Sequence, residues 1–270
     1  MQHVSARGVD IPVLGFGTWD VHGDSAYRSV RAALEAGYRH IDTAQGYENE
    51  QYVGRAIADS GVDRDEVFLV TKVTPANARR DDVQRSTAES LSRLGVDHVD
   101  LLLIHWPSDR APLEETVEAL DREREAGHTR LIGVSNYPSA LLRRALEVAP
   151  VATDQVEHHV LLGQDLLMGI LAEHDLPLTA YSPLARGRVF RQPVLDEIAA
   201  AHGRSVAQVA LRWVVQQPGR IAIPRSENPE HIAGNLEVFD FELSDDDMRR
   251  LDALPKDQRV VSPPFAPEWD

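Results

Sequence analysis

Val99-Asp100-Leu101-Leu102-Leu103-Ile104-His105 is a near-continuous apolar run that ends on an imidazole. Runs of this kind, lacking period-two alternation, suit parallel strands covered on both faces. Comparable segments recur at 14–18, 39–41, 67–72, 131–135, 152–156, 178–181 and 221–224, which with 99–105 makes eight candidate strands. The stretches between them read as helices. Ala26, Tyr27, Val30, Ala33 and Leu34 share one face before a stop at Gly37, and Val83, Thr87, Leu91 and Leu94 repeat the pattern before Gly95. Ser205 with Gln208 and Ser244 with Asp247 open helices with capping signatures, and Asn228-Pro229-Glu230 is a further helix start.

Eight strands alternating with helices predict one domain over residues 1–270, an α/β chain folded as a (β/α)8 TIM barrel. The rival, an open doubly wound sheet, wants a third glycine in the turn after its first strand. Gly15-Phe16-Gly17-Thr18-Trp19-Asp20 supplies two glycines and then a tryptophan. Residues 4–7 and 9–11 flank Gly8 and predict an N-terminal β-hairpin plugging the barrel base, with short extra helices near the C-terminus. The proline- and aromatic-rich residues 260–270 are expected to wrap over the surface.

A net charge of −15 argues against nucleic acid and against an anionic membrane as partners. Cysteine is absent, which excludes disulfides, thiolate metal sites and a thiol nucleophile. No apolar run reaches the ~18 residues of a membrane helix. The first residues lack the pattern of a secretion signal, so a cytoplasmic protein is expected. Lysine occurs only at 72 and 256 among 28 basic residues; a GC-rich genome and adaptation to high salt both fit that usage.

Three of the runs end in a polar side chain: Asp42 after 38–41, Lys72 after 67–71 and His105 after 101–104. Tyr47 follows Asp42 within a short loop. The C-terminal strand ends of a barrel converge on one mouth, so these four groups are expected to meet there. A free phenol, with a pKa near 10, is a weak acid at neutral pH. An ammonium about 4 Å away at an effective dielectric of ~20 favours the phenolate by up to ~4 kcal/mol, lowering that pKa by as much as ~3. Asp42 would keep Lys72 charged, and a neutral His105 would donate to a carbonyl oxygen that is gaining negative charge. The set suits carbonyl reduction, with Tyr47 protonating oxygen. Taken singly, Asp42 and Lys72 also read as a rim ion pair, His105 as a core histidine and Tyr47 as a surface aromatic.

Barrels often bind phosphate beside the last strands at a helix start, and Arg225 and Ser226 ahead of Asn228-Pro229 fit that description. Arg225 offers a guanidinium fork for a phosphate monoester. His158-His159 invites a metal reading, but strand neighbours face opposite ways and no third ligand is spaced for it, so no metal is expected. Gly133-Val134-Ser135-Asn136-Tyr137 misses the nucleophile-elbow pattern of hydrolases at its last position.

Together these segments resemble the aldo-keto reductases. The resemblance is carried by Gly15-Phe16-Gly17-Thr18-Trp19, Ile41-Asp42-Thr43-Ala44 with Tyr47 and Asn49-Glu50, Thr71-Lys72, His105-Trp106-Pro107 and Gly133-Val134-Ser135-Asn136. It continues through Asp154-Gln155-Val156-Glu157, Tyr181-Ser182-Pro183-Leu184, Ile223-Pro224-Arg225-Ser226 and Val238-Phe239-Asp240-Phe241. The chain is most similar to the prokaryotic branch that includes 2,5-diketo-gluconate and methylglyoxal reductases. The resemblance implies an NADPH-dependent oxidoreductase, usually monomeric, that reduces small aldehydes, ketones, dicarbonyls or keto-sugars. It puts Asp42, Tyr47, Lys72 and His105 in the catalytic positions, with Tyr47 as general acid. Ser135, Asn136 and Gln155 would hold the nicotinamide carboxamide, and Tyr181 would stack on its ring. Ser182 and Leu184 would line the pyrophosphate, while Arg225, Ser226, His231 and Asn235 would surround the adenosine end. Thr18 and Asp42 also fall among the implied cofactor contacts, and Trp19 and Trp106 join Tyr47 and His105 around the substrate.

The family commonly has lysine at 225, arginine at 231 and often glutamate at 234; here they are Arg225, His231 and Gly234. Arg225 keeps a fixed charge, whereas His231 is cationic only when protonated. The expectation is NADPH preference with appreciable NADH use. The connections around the substrate side look short, which predicts a wide, open mouth.

Overall fold

The computed structural model describes residues 2–270. Eight parallel strands form one sheet in sequence order: β3 (Phe16–Gly17), β4 (His40–Asp42), β5 (Phe68–Val73), β6 (Val99–Ile104), β7 (Thr129–Ser135), β8 (Val151–Glu157), β9 (Leu178–Tyr181) and β10 (Arg220–Ala222). The sheet closes on itself. Leu14 bridges Ala222 in parallel, Gly15 N donates to Ala222 O at 2.8 Å, Ala222 N to Val13 O at 2.8 Å and Gly17 N to Pro224 O at 2.9 Å. An open doubly wound sheet has no such seam. Only glycine fits at its tightest point, where a Cβ on Gly15 would come within 2.8 Å of the His40 ring and 2.9 Å of Ile223.

The central strands β5, β6 and β8 are buried along their whole length, as parallel strands covered on both faces require. Asp100 is the polar exception in β6. Its carboxylate accepts from Arg64 Nη2, Arg130 Nη1 and Leu69 N, each at 2.9 Å, so a buried charge is fully paired. Helices pack outside. Gly37 and Gly95 end the helices Gly23–Ala36 and Arg80–Leu94 in left-handed conformation. Ser205 and Ser244 form complete capping boxes, and Asn228 caps Glu230 N. Helix Glu50–Asp59 lies so close to the end of Arg80–Leu94 that a Cβ on Gly54 would run into the Leu94 carbonyl.

The N-terminal hairpin pairs β1 (His3–Ala6) with β2 (Val9–Pro12), turning through Arg7 and Gly8 at positive φ. It covers the base of the barrel: Arg7 Nε reaches the carbonyl of Val151, the first residue of β8, and the ring of His40, the first residue of β4, meets Pro12 O at 3.0 Å. Two helices, Pro193–His202 and Val206–Val215, fill the β9-to-β10 connection, and Asp245–Asp252 precedes the tail. The tail does more than wrap the surface, because it returns to the opposite, C-terminal face of the barrel. Among the described residues no helix is long and apolar enough to cross a membrane.

Candidate active site

At the carboxyl ends of the strands a cleft of about 870 Å³ runs from Tyr47 and His105 to Arg225. Its inner end is set by β4, β5 and β6. Lys72, from β5, is fully buried and donates to Asp42 Oδ1 at 2.6 Å, to Thr43 O at 2.8 Å and to the Tyr47 hydroxyl at 3.5 Å. Gln155 Nε2, from β8, takes the other Asp42 oxygen at 2.8 Å. The Tyr47 and His105 rings meet edge to face with centroids 5.5 Å apart. The four groups expected to converge therefore do so.

Supporting bonds fix the turn that carries Tyr47. Asn49 is buried, accepts from Thr43 Oγ1 at 2.6 Å and donates to the carbonyls of Thr18 and Val21. Glu50, also buried, accepts from Thr71 Oγ1 at 2.6 Å and is paired with Arg93. Asn136 sits at φ 63, a conformation its side chain stabilises by donating to His105 O and Ser135 Oγ while accepting from Tyr181 OH at 2.7 Å. Ser135 Oγ in turn donates to Gln155 O. These bonds lock the ends of β6, β7, β8 and β9 into one network.

The electrostatics divide. Burial pushes the His105 imidazole down to about 3, with the nearby Lys72 charge adding to it, so the ring is neutral as expected. The phenol goes against expectation. Burial raises Tyr47 well above its ordinary value, and Asp42 and then Tyr181 push the same way. The neighbouring ammonium does not outweigh desolvation, which also lowers Lys72 itself against the opposing pull of Asp42. Tyr47 is thus held protonated in the resting site, and Lys72 acts on it only as negative charge develops.

Of the other anticipated residues, Trp19, Trp106, Ser182, Leu184 and Arg225 line the cleft with Asp42, Ser135, Asn136, Gln155 and Tyr181. Thr18, Ser226, His231 and Asn235 do not. Thr18 Oγ1 is bonded to Asp42 O, Ser226 Oγ accepts from Asn228 N in a local turn, and Asn235 is buried beside Tyr38. His231 lies exposed on helix Pro229–Leu236.

Two groups of residues escaped the sequence reading. After β9 the chain turns through Ser182, Ala185 and Arg186, all at φ 48, and places Arg186 4.5 Å over the Trp19 ring across the cleft. The tail brings Val260, Val261, Pro263 and Phe265 to the opposite wall. Phe265 and Trp269 pack edge to face on Trp106, with centroids 5.5 and 6.0 Å away. The mouth is therefore walled on the tail side rather than wide open. Glu157, at the end of β8, anchors that wall: its carboxylate accepts from Val260 N at 2.7 Å and Val261 N at 2.8 Å, as well as from His159 at 2.9 Å. The richness of 260–270 in proline and aromatics was the available signal.

An extended dinucleotide fits this cleft. Its volume lies within the ~300–1,000 Å³ of small-molecule sites. Its polar groups are spread from the Asn136 and Gln155 amides, through Ser182, to the Arg225 guanidinium.

A model of the aldo/keto reductase family matches residues 13–256. An aldo-keto reductase from Mycolicibacterium smegmatis is 43% identical over 260 residues, covering 95% of this chain and 94% of its own. A solved structure bearing the provisional name 2,5-diketo-D-gluconic acid reductase B superposes with a TM-score of 0.97 at 43% identity, covering 100% of this chain and 98% of its own. The aldose reductase of Schistosoma japonicum gives a TM-score of 0.92 at 30% identity, covering 97% and 94%.

Proposed function

This chain belongs to the aldo/keto reductase family, and from that premise we propose that it reduces small aldehydes, ketones and dicarbonyls to alcohols, preferring NADPH and taking the proton from Tyr47. A nicotinamide bound in the cleft supplies the hydride. Ser135, Asn136 and Gln155 would hold its carboxamide, Tyr181 would lie against its ring, Ser182 and Leu184 would line the pyrophosphate, and Arg225 would lie at the adenosine end.

The observation that supports this reading best is the fully buried Lys72 Nζ, held 2.6 Å from Asp42 and 3.5 Å from the Tyr47 hydroxyl, which itself faces the cleft. His105, neutral at working pH, donates to the substrate carbonyl and polarises it. As the carbonyl carbon gains the hydride pair, its oxygen becomes strongly basic and takes the phenolic proton of Tyr47. The phenolate left behind faces the Lys72 ammonium, an attraction of about 5 kcal/mol at that distance for an effective dielectric of ~20. Asp42 keeps the ammonium charged throughout. The aromatic wall of Trp106 and Phe265, backed by Trp269, favours apolar or aromatic aldehydes alongside small dicarbonyls. A cytoplasmic, monomeric enzyme completes the reading.

The test is consumption of NADPH and of NADH with methylglyoxal, glyoxal and nitrobenzaldehydes. Turnover with both cofactors, with a kcat/KM ratio below about a thousandfold (~4 kcal/mol), is expected. Inertness toward the whole panel with either cofactor refutes the proposal.

A further inference from the structure

At the exposed end of the cleft the guanidinium fork of Arg225 is already engaged. Nε donates to Trp19 O at 3.2 Å, and Nη2 donates to Asp20 O at 2.7 Å and to Glu227 Oε1 at 3.1 Å. The Asp20 carboxylate stands 3.8 Å from the same nitrogen. Glu227 is itself fixed, because its second oxygen accepts from Ser25 Oγ at 2.8 Å. One cation is thus shared between two carboxylates. Ion pairs this exposed add little to stability, so the consequence of the arrangement falls on any anion that approaches Arg225.

We infer that Glu227 is a specificity-determining residue that withholds Arg225 from a 2′-phosphate and so brings NADH use closer to NADPH use. The inference rests on the cofactor reading above. A phosphate monoester carries a charge of about −1.5 to −2 near neutrality. To reach the guanidinium it must displace Glu227 or lie beside it, and like charges in contact oppose binding. A ribose without that phosphate presents hydroxyl donors, for which the same carboxylate is an acceptor. The one residue that recommends NADPH in the sequence is therefore offset by a neighbour two positions along the chain.

Adenosine 2′,5′-bisphosphate and AMP separate the two readings, since they differ only in the 2′-phosphate and carry no nicotinamide. Calorimetric titration at low salt is expected to show Glu227→Gln binding the bisphosphate about tenfold more tightly than the parent, with AMP changed by less than about twofold. The glutamine retains an acceptor for Ser25, and the site is exposed, so the fold is kept. Asp20→Asn, farther from the nitrogen, gives a smaller gain in the same direction. The gains shrink at about 0.5 M salt, where charges are screened within a few ångströms. Unchanged bisphosphate affinity in both variants, or equal tightening of both nucleotides, overturns the inference while leaving the cofactor reading intact. If the parent protein binds neither nucleotide, the cofactor reading falls and this inference falls with it.

Discussion

At the inner end of the cleft, Lys72 and Asp42 are sealed from solvent and bonded to each other, to Thr43, to Tyr47 and to Gln155. At the outer end, the Arg225 and Glu227 side chains are 36% and 44% exposed and lie on loops. Both ends hold a cation against a carboxylate at short range, yet the two pairs differ in what their loss would cost. Breaking a buried pair strands a charge in low dielectric, whereas breaking an exposed one returns two ions to water. The inner end is therefore committed to one geometry for chemistry, while the outer end is open to adjustment by single substitutions.

The sharpest test of that contrast is Tyr47→Phe, which removes the proton donor together with its long bond from Lys72 and leaves the ring in place. We expect kcat to fall about a thousandfold, within the range for loss of a general acid, while nucleotide affinity and the unfolding midpoint stay near those of the parent. Steady-state kinetics beside calorimetric titration check this. Activity within tenfold of the parent would assign the acid elsewhere.

Lys72→Met comes next, because it costs stability as well as rate. Asp42 is left buried without its cation, a loss of about 3–5 kcal/mol, read as a lower urea midpoint. Adding Asp42→Asn removes the stranded charge and is expected to recover most of the stability but none of the activity. Glu227→Gln, by contrast, leaves the urea midpoint in place.

How much of this was legible in the sequence depends on whether a property is local. The eight strands and the meeting of Asp42, Tyr47, Lys72 and His105 follow from apolar runs and from where those runs stop. The direction of the Tyr47 shift does not follow, because it is a contest between one visible cation and a burial that only the folded chain defines. Arg225 was legible as a cation, but its neutralisation by Asp20 depends on a loop from the other end of the chain. Thr18, Ser226 and Asn235 carry the right chemical groups, yet those groups are turned into local or buried contacts. The tail was visible as a proline- and aromatic-rich stretch, while its seat on Trp106 is a contact across more than half the chain.

Acid sensitivity should also concentrate in the buried groups. His105 and His158 are both held near 3 by burial, whereas in the unfolded chain an imidazole titrates near its ordinary 6.5. Between those values the unfolded state binds more protons, so stability from each histidine is full above about 6.5 and is lost as pH falls toward 3. Each contributes at most about 1.4 kcal/mol per pH unit in that window. Asp154 acts in the opposite sense: burial raises its carboxyl well above the usual range, so its contribution is lost as pH rises. Urea unfolding from pH 4 to 8 should show His105→Asn flattening the acid side and Asp154→Asn raising stability at the alkaline side. Unaltered slopes would mean that these groups are hydrated in solution.

The smallest expected effect lies between the two ends, at the tail. Glu157 is as buried as Asp42, but its partners are the amides of Val260 and Val261 and the His159 ring rather than a lysine. A carboxylate accepts both amides; in Glu157→Gln one of them faces an NH2 group, and a buried donor loses its acceptor at a cost of about 1–3 kcal/mol. The tail would then loosen from β8 without disturbing the bonds among Asp42, Lys72 and Tyr47. We expect KM for aromatic aldehydes to rise severalfold, with kcat near that of the parent and the KM for methylglyoxal little changed, because only the larger substrate needs the wall of Trp106 and Phe265. A fall in kcat with unchanged KM would instead place Glu157 in the proton-transfer network and extend the rigid end of the cleft as far as the tail.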